Sequence, residues 1–496
     1  MLTATILVPL IGAVALGSAR GVSERAARAG AVTIAAVPLA LLIAAWSRFD
    51  PGSGRLFQLV EAAPWIPTLG VAYRVGVDGV ALVIATASAL LFTVSAAYPA
   101  DTRDRPRHYY AWLLFLEAVS LGVFLALDLL LFYVFFDLSL VGMYFLIGEW
   151  GHGDAKRSAL KFFLFTLAGS LTMLLGILGL ALATEPLTFD MATLIRHQPL
   201  AGEGLRSSLV LLGLLFGLGV KTPVVPLHTW LPPAHVDAPG PASAILAGVL
   251  LKMGTYGMIR IPFAMMRATF AQWALVLAVI GVISAVYGAL VALGQSNLKR
   301  RIAYTSVNHM GYVVLAIAAA GGVLAGDEPG RELAITGATT QMVAHGLVTG
   351  ALFLVAGSFW QRTQDYDIDA YGGLARPAPA LTGVTTVAAF ASLGLPGLAQ
   401  FVAEFQIFVG TFSVYPALAA VALLGVLITA ALFLQLLQKI FLGDLPARWA
   451  DFPDLHRSEA VTLGVLVALI VAIGVYPRWL LDAIAGSSRI LIGGGS

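Results

Sequence analysis

Four ionisable residues stand where a chain of apolar side chains offers them no water. Asp137 lies in LFYVFFDLSLVGMYFL, Lys221 in LVLLGLLFGLGVKTPVV, Lys252 in SAILAGVLLKMGTYGMI and Glu404 in FVAEFQIFVG. Buried acids and bases are proton carriers, because burial disfavours the charged form and a neighbouring opposite charge restores it. About 12 apolar residues precede Lys221, so a rise of ~1.5 Å each sets it ~18 Å from that helix end. A lysine stem does not reach water over that distance. Such a charge costs several kcal/mol and marks a functional site by default; the competing reading is a set of buried ion pairs that fix helix packing. His228, His309 and His345 also have apolar surroundings. A lone histidine there is more often a packing residue, but three in one chain point to proton handling, since imidazole titrates near neutral pH. Lys161 stands close to a helix start and either reaches the interface or joins the relay. Glu117 lies 11 residues before Asp128 and Asp137 lies 9 after it. A hairpin turning at Asp128 brings the two carboxylates to one depth, where they share a proton; alternatively Glu117 meets a backbone or serine group on another helix.

The elements that hold these residues follow from composition. Of 496 residues, 29 are Lys or Arg and 27 Asp or Glu, which is 11 % charged against about a quarter in an average soluble domain. Hydrophobic residues make up 59 % and the mean hydropathy is +0.89. Such a chain is an integral membrane protein. A net charge of +2 excludes a polybasic nucleic-acid binder, and the absence of Cys excludes disulfides, thiolate metal sites and Cys nucleophiles. No GxxxxGK[ST] loop occurs, so nucleotide hydrolysis is not the energy source.

A spanning helix needs about 20 mostly apolar residues. Cutting the chain at charge clusters and Gly/Pro punctuation gives about fourteen, beginning near positions 2, 29, 78, 109, 129, 159, 208, 243, 270, 302, 333, 378, 417 and 459. The run 109–148 is two helices with a turn near Asp128, since one helix of that length is ~60 Å long. Two spans are broken: Thr222-Pro223 follows Lys221, and Leu395-Pro396-Gly397 precedes Glu404. Proline removes a helix hydrogen bond, and irregular backbone at membrane depth survives only beside protein or a water-filled cavity. Broken spans at matching places in two halves point to an inverted repeat around an ion site. The expected organisation is three N-terminal spans in 1–108, a first five-helix repeat in 109–266, a second in 267–440, and a loop and last span in 441–496. The first span lacks a preceding basic residue and reads as a retained helix rather than a cleaved signal. With that start outside, 17 of the 29 basic residues, among them Arg28, Arg103, Lys156, Lys299, Arg301 and Arg362, fall on the cytoplasmic side. Ten, including Arg260, fall opposite. The bias predicts a multi-pass protein of the inner (plasma) membrane with both termini periplasmic.

Four stretches resemble the antiporter-like membrane subunits of respiratory complex I and of Mrp-type cation/proton antiporters: VKTPVVPLHTWLPPAHVDAPGPASAILAGVLLKMGTYGMIR, QSNLKRRIAYTSVNHMGYVVLAI, QMVAHGLVTGALFL and LGLPGLAQFVAEFQIFVGTF. The resemblance spans roughly residues 75–440. Glu404 likens the chain to the M-type branch within proton-translocating NADH:quinone oxidoreductase, since the other branches usually carry Lys there. The resemblance implies fourteen helices with two inverted five-helix bundles. It further implies a half-channel near Lys221, linked by Lys252, His309 and His345 through waters to an exit near Glu404. Where the family carries a Glu beside the first lysine, this chain has Asp137, one methylene shorter, which meets Lys221 directly or through a bridging water. The resemblance implies no cofactor in this chain. NADH, flavin, iron–sulfur clusters and quinone belong to partner subunits, and the expected contacts are other membrane subunits of complex I, neighbouring antiporter-like subunits and lipid. The alternative is a subunit of a multisubunit Mrp-type sodium/proton antiporter; a structural scaffold and a solute carrier are further readings that the broken helices and the small-cation character of the midplane charges disfavour.

The connections say less. Residues 49–77 and 184–207 read as interfacial covers. Asp365, Asp367 and Asp369 have a D-x-D-x-D spacing but lack the Gly and terminal Glu of a calcium loop, so the segment 361–377 reads as a solvated loop.

Overall fold

The computed structural model describes residues 1–102, 105–202, 204–322 and 327–493; Arg103 lies outside them. Each apolar run becomes a helix, because only a helix satisfies its own backbone in hydrocarbon. The chain runs α1 (Leu2–Ser18), α2 (Glu24–Trp46), strands β1 (Gln58–Ile66) and β2 (Val71–Val77), α3 (Gly79–Ala97), α4 (Pro106–Leu125), α5 (Leu129–Trp150), α6 (Ala155–Ala181), α7 (Met191–His197), α8 (Leu205–Lys221), α9 (Leu231–Asp237) and α10 (Gly240–Phe263). It continues through α11 (Arg267–Leu293), α12 (Leu298–Gly321), α13 (Glu328–Thr363), α14 (Pro379–Ser392), α15 (Ala399–Val414), α16 (Pro416–Phe441), α17 (Arg457–Val475) and α18 (Arg478–Gly493). Among the described residues, 11 helices are long and apolar enough to cross a membrane, while α1, α14 and α15 are shorter. Helix α13 has 36 residues, ~54 Å, and forms a buried mast.

The stretch 49–77 holds the antiparallel hairpin β1–β2, a small sheet within an otherwise helical protein. It is tied to the α4–α5 turn: Asp128 caps α5 by accepting from the amides of Leu130 (3.0 Å) and Leu131 (3.1 Å), and its other oxygen accepts from Ala72 of β2 at 3.1 Å. The expected turn near Asp128 is therefore present. Backbone helicity stops between Lys221 and Leu231 and again between Ser392 and Ala399, at the two predicted proline sites.

Several basic residues assigned to loops are buried. Lys299, Arg301, Arg260 and Arg362 sit near helix ends, where sequence position imitates a loop, yet each is enclosed. Arg260 pairs with Asp78 at 2.7 Å and Arg362 with Glu459 at 2.6 Å. Arg301 donates to main-chain oxygens of Gln295, Leu293 and Leu432. The D-x-D-x-D segment is a run of turns in which the Asp365 side chain accepts from the Asp367 amide and Asp367 from the Asp369 amide.

Candidate proton path

Two groups of polar side chains form within the helical body. The first lies between α5, α6 and α8. Lys221, at the last turn of α8 where the chain breaks, donates to Ser139 Oγ at 2.9 Å, and its ammonium lies 4.9 Å from the Phe136 ring. Asp137 accepts from Ser170 Oγ at 2.6 Å and from Tyr133 at 3.3 Å. Lysine and aspartate are thus each held by a serine rather than by one another, and no ion pair joins them. A bridging water would join them. Asp137 is only partly buried, whereas Lys221 is enclosed.

The second group forms a row. Lys252 follows a π-helical turn over Leu246–Leu250; its ammonium meets the Ala247 carbonyl at 2.6 Å and His345 Nδ1 at 2.5 Å. The His345 and His309 rings lie 5.4 Å apart. His309 Nδ1 is 3.6 Å from Glu404 Oε1, and Gln400 donates to both partners, at 2.9 Å to His309 and 3.1 Å to Glu404. Ser392 adds a hydroxyl 3.3 Å from His309 Nε2. The break after α14 makes room for the carboxylate. Gly394 has φ +78°, and a Cβ there would come 2.5 Å from Glu404 Oε2, so the site requires glycine for both backbone and space.

The two groups meet through backbone. Helix α10 presses Gly254, two residues beyond Lys252, onto the end of α8, where a Cβ would lie 2.8 Å from the Leu218 carbonyl. No direct side-chain hydrogen bond joins Lys221 to Lys252. Elsewhere in the interior, buried oxygen or nitrogen atoms of Ser306, Gln341, Gln400, His345 and Ser120 have no protein partner, and unpaired buried polar groups of this kind favour water as a partner.

The remaining sequence candidates stand apart. Glu117 is fully buried with neither oxygen hydrogen-bonded, so it shares no proton directly with Asp137. Gly122 packs on Phe135 and Gly142 on Leu116, a register that sets Glu117 opposite Leu140–Val141, about one turn from Asp137. The turn's position was readable, but the pairing of the helices was offset from it. His228 is buried between Tyr287 and Tyr304, with ring centroids at 5.3 and 6.0 Å. Lys161 is exposed, and its charge acts on His228. These two form a separate pair on the side of the first group. Ser139, Ser170, Ser392 and Gln400 escaped sequence reasoning, because nothing in a single sequence distinguishes a serine on a helix that turns toward a charge from one that bonds its own backbone.

Comparison with known proteins agrees with this architecture. The family described as NADH:quinone oxidoreductase/Mrp antiporter, TM matches residues 126–429. A chain 4 of NAD(P)H-quinone oxidoreductase from Trichormus variabilis is 36 % identical over 488 residues, covering 96 % of this chain and 88 % of the relative. Subunit M of F(420)H(2) dehydrogenase from Methanosarcina mazei is 35 % identical over 494 residues, covering 98 % and 97 %. Among solved structures, a chain of respiratory complex I from Thermus thermophilus with bound NADH superposes with a TM-score of 0.88 at 30 % identity, covering 99 % of this chain and all of that one.

Proposed function

Because the chain belongs to the NADH:quinone oxidoreductase/Mrp antiporter membrane family, on its chain 4 or M-type branch, we propose that it is the proton-translocating antiporter-like subunit of a redox-driven quinone oxidoreductase of the complex I type. The observation that carries this is the buried row Lys252, His345, His309, Gln400, Glu404, ending at a broken helix, in which Lys252 meets His345, Gln400 meets both His309 and Glu404, and the two imidazole rings lie 5.4 Å apart. Base, imidazoles and acid in such a row can pass a proton without moving any helix far, with water completing the step between the two imidazoles. Lys221 with Asp137 is the second station, joined to the line by water.

Moving one charge against 100 mV requires about 2.3 kcal/mol. This chain carries no phosphate-binding loop, so the work comes from partner subunits through charges at its flanks. The flavin, iron–sulfur clusters, quinone and electron donor belong to those partners. The relatives' names include both NAD(P)H and F(420)H(2) as donors, as expected of a module that never touches the donor.

We further infer fourteen spans: the 11 long helices, α1, and the two pairs α8–α9 and α14–α15, each counted as one broken span. The third helix of either half packs on its broken neighbour through glycine, α6 on α8 at Gly169 and Gly217, α13 on α15 at Gly337 and Gly410, which supports two related five-helix units, α4–α10 and α11–α16. The excess of basic residues on the side of Lys156, Arg157 and Arg300 supports a cytoplasmic assignment for that face and periplasmic termini in the inner membrane.

The test is Lys221→Ala and Glu404→Ala in the assembled complex. Quinone reduction coupled to proton release is expected to fall at least tenfold in each. Normal pumping in both would overturn the reading.

A further inference from the structure

The line from Lys252 to Glu404 begins deep in the protein, and one buried imidazole outside it has no partner at all. His235, in α9, is fully enclosed, yet neither ring nitrogen makes a hydrogen bond. Its ring stacks on Phe353 of α13, centroids 4.4 Å apart and planes within 7°. Phe353 is eight residues along α13 from His345, ~12 Å by helix rise. Halfway between them Thr349 Oγ1 lies 3.2 Å from His345 Nδ1.

On its other side His235 faces the surface that bears Lys156, Arg157 and Arg300. Asp237, two residues on, is 9 % exposed and accepts from Ser158 at 2.5 Å. Lys299, in the first turn of α12, is buried over the Tyr366 ring and donates to the Ala238 carbonyl. Ser243 Oγ joins them, donating to the His235 carbonyl at 3.1 Å and lying 3.2 Å from the Lys299 ammonium. The charged and titratable groups acting on His235 are therefore Lys299 from α12, Lys252 from α10 and His345 from α13, with Asp237 two residues along its own helix.

We propose that His235 is the uptake station of the relay, receiving protons at the mouth formed by Asp237 and Lys299 and passing them by way of Thr349 and water to His345 and Lys252. A purely structural histidine at this place is served equally by an apolar ring, since only the stack on Phe353 holds it. Two bare imidazole nitrogens are instead what a through-going proton needs: one accepts while the other releases, and the ring returns to neutral with its tautomer exchanged. Water reorientation then resets it.

The inference depends on the conducting role proposed above, and the experiment separates the two. His235→Phe keeps the stack and removes the titrating group; His235→Gln, made in parallel, keeps a polar contact for water without titrating. Both are placed in the assembled complex beside Lys252→Ala, with proton pumping recorded against pH on the Lys299 side. Assembly at normal yield is expected for at least one His235 variant, with pumping reduced tenfold or more and falling more steeply than wild type as that pH rises, because proton supply becomes limiting. Wild-type pumping at every pH in an assembled His235 variant, with pumping lost in Lys252→Ala, would overturn the uptake station alone. Normal pumping in Lys252→Ala as well would overturn the conducting role and this proposal with it.

Discussion

A carboxylate with the same chemistry serves opposite ends here depending on what donates to it. Glu404 meets one side-chain amide and one imidazole, whereas Glu61 on β1 is an anchor. Burial opposes its ionisation, but the Met1 ammonium, the Thr3 hydroxyl and the amides of Thr3 and Leu2 all donate to it and hold its carboxyl down at about 2. A folded value below the ordinary ~4.3 contributes stability that is complete above that value and lost as pH falls toward 2. Hydrogen exchange at the first turn of α1 is expected to accelerate on acidification through this window, and Glu61→Gln is expected to show fast exchange at all pH values. The charges inside spans were legible because they are rare: Lys221, Lys252 and Glu404 are enclosed as their flanking residues require. His235 and Lys299 were not legible as a site, since His235 lies within the short, proline-containing α9 and Lys299 reads as part of the basic run Lys299-Arg300-Arg301; their neighbours Phe353 and Tyr366 arrive from more than sixty residues away.

At the scale of elements, helix ends and breaks do the positioning. Asp128 fixes where α5 starts and binds β2 to it, so Asp128→Ala removes a cap worth about 1–2 kcal/mol and leaves the Ala72 amide unpaired. The expected result is a lower melting temperature with faster exchange at Leu130, Leu131 and Ala72; an unchanged exchange pattern there would contradict the cap. Proline and glycine announced both breaks in advance. The relative register of α4 and α5 was not readable, because a turn residue gives where a hairpin reverses but not how glycines such as Gly122 and Gly142 let one helix slide along the other. The hairpin β1–β2 also escaped notice, since neither strand alternates cleanly between apolar and polar.

The whole molecule is braced by buried ion pairs that bridge distant parts of the chain. Glu459 at the start of α17 holds Arg362 at the end of α13, and Ser358 and Tyr98 complete the knot, with Ser358 Oγ 2.7 Å from the glutamate. Removing one partner of such a pair leaves an uncompensated charge, a loss of about 3–5 kcal/mol. Glu459→Ala is therefore expected to lower the thermal stability of the complex strongly, while Arg362→Met combined with Glu459→Leu recovers most of it; equal destabilisation by single and double variants would show that the pair itself is not what matters. The helical, membrane-spanning character of the chain followed from composition and spacing. The bracing did not, because a buried arginine near a helix end has the same neighbours in sequence as a solvated one.

The unpartnered polar atoms along the interior, those of Gln341, Ser306 and the outer nitrogen of His345, have one more consequence. Such atoms favour water as their partner, and water held within the apolar body has a chemical potential set by the bathing medium. Turnover of this subunit is accordingly expected to respond to water activity: solutes too large to enter draw on that water osmotically, and pumping measured against their concentration is expected to fall while every side chain stays in place.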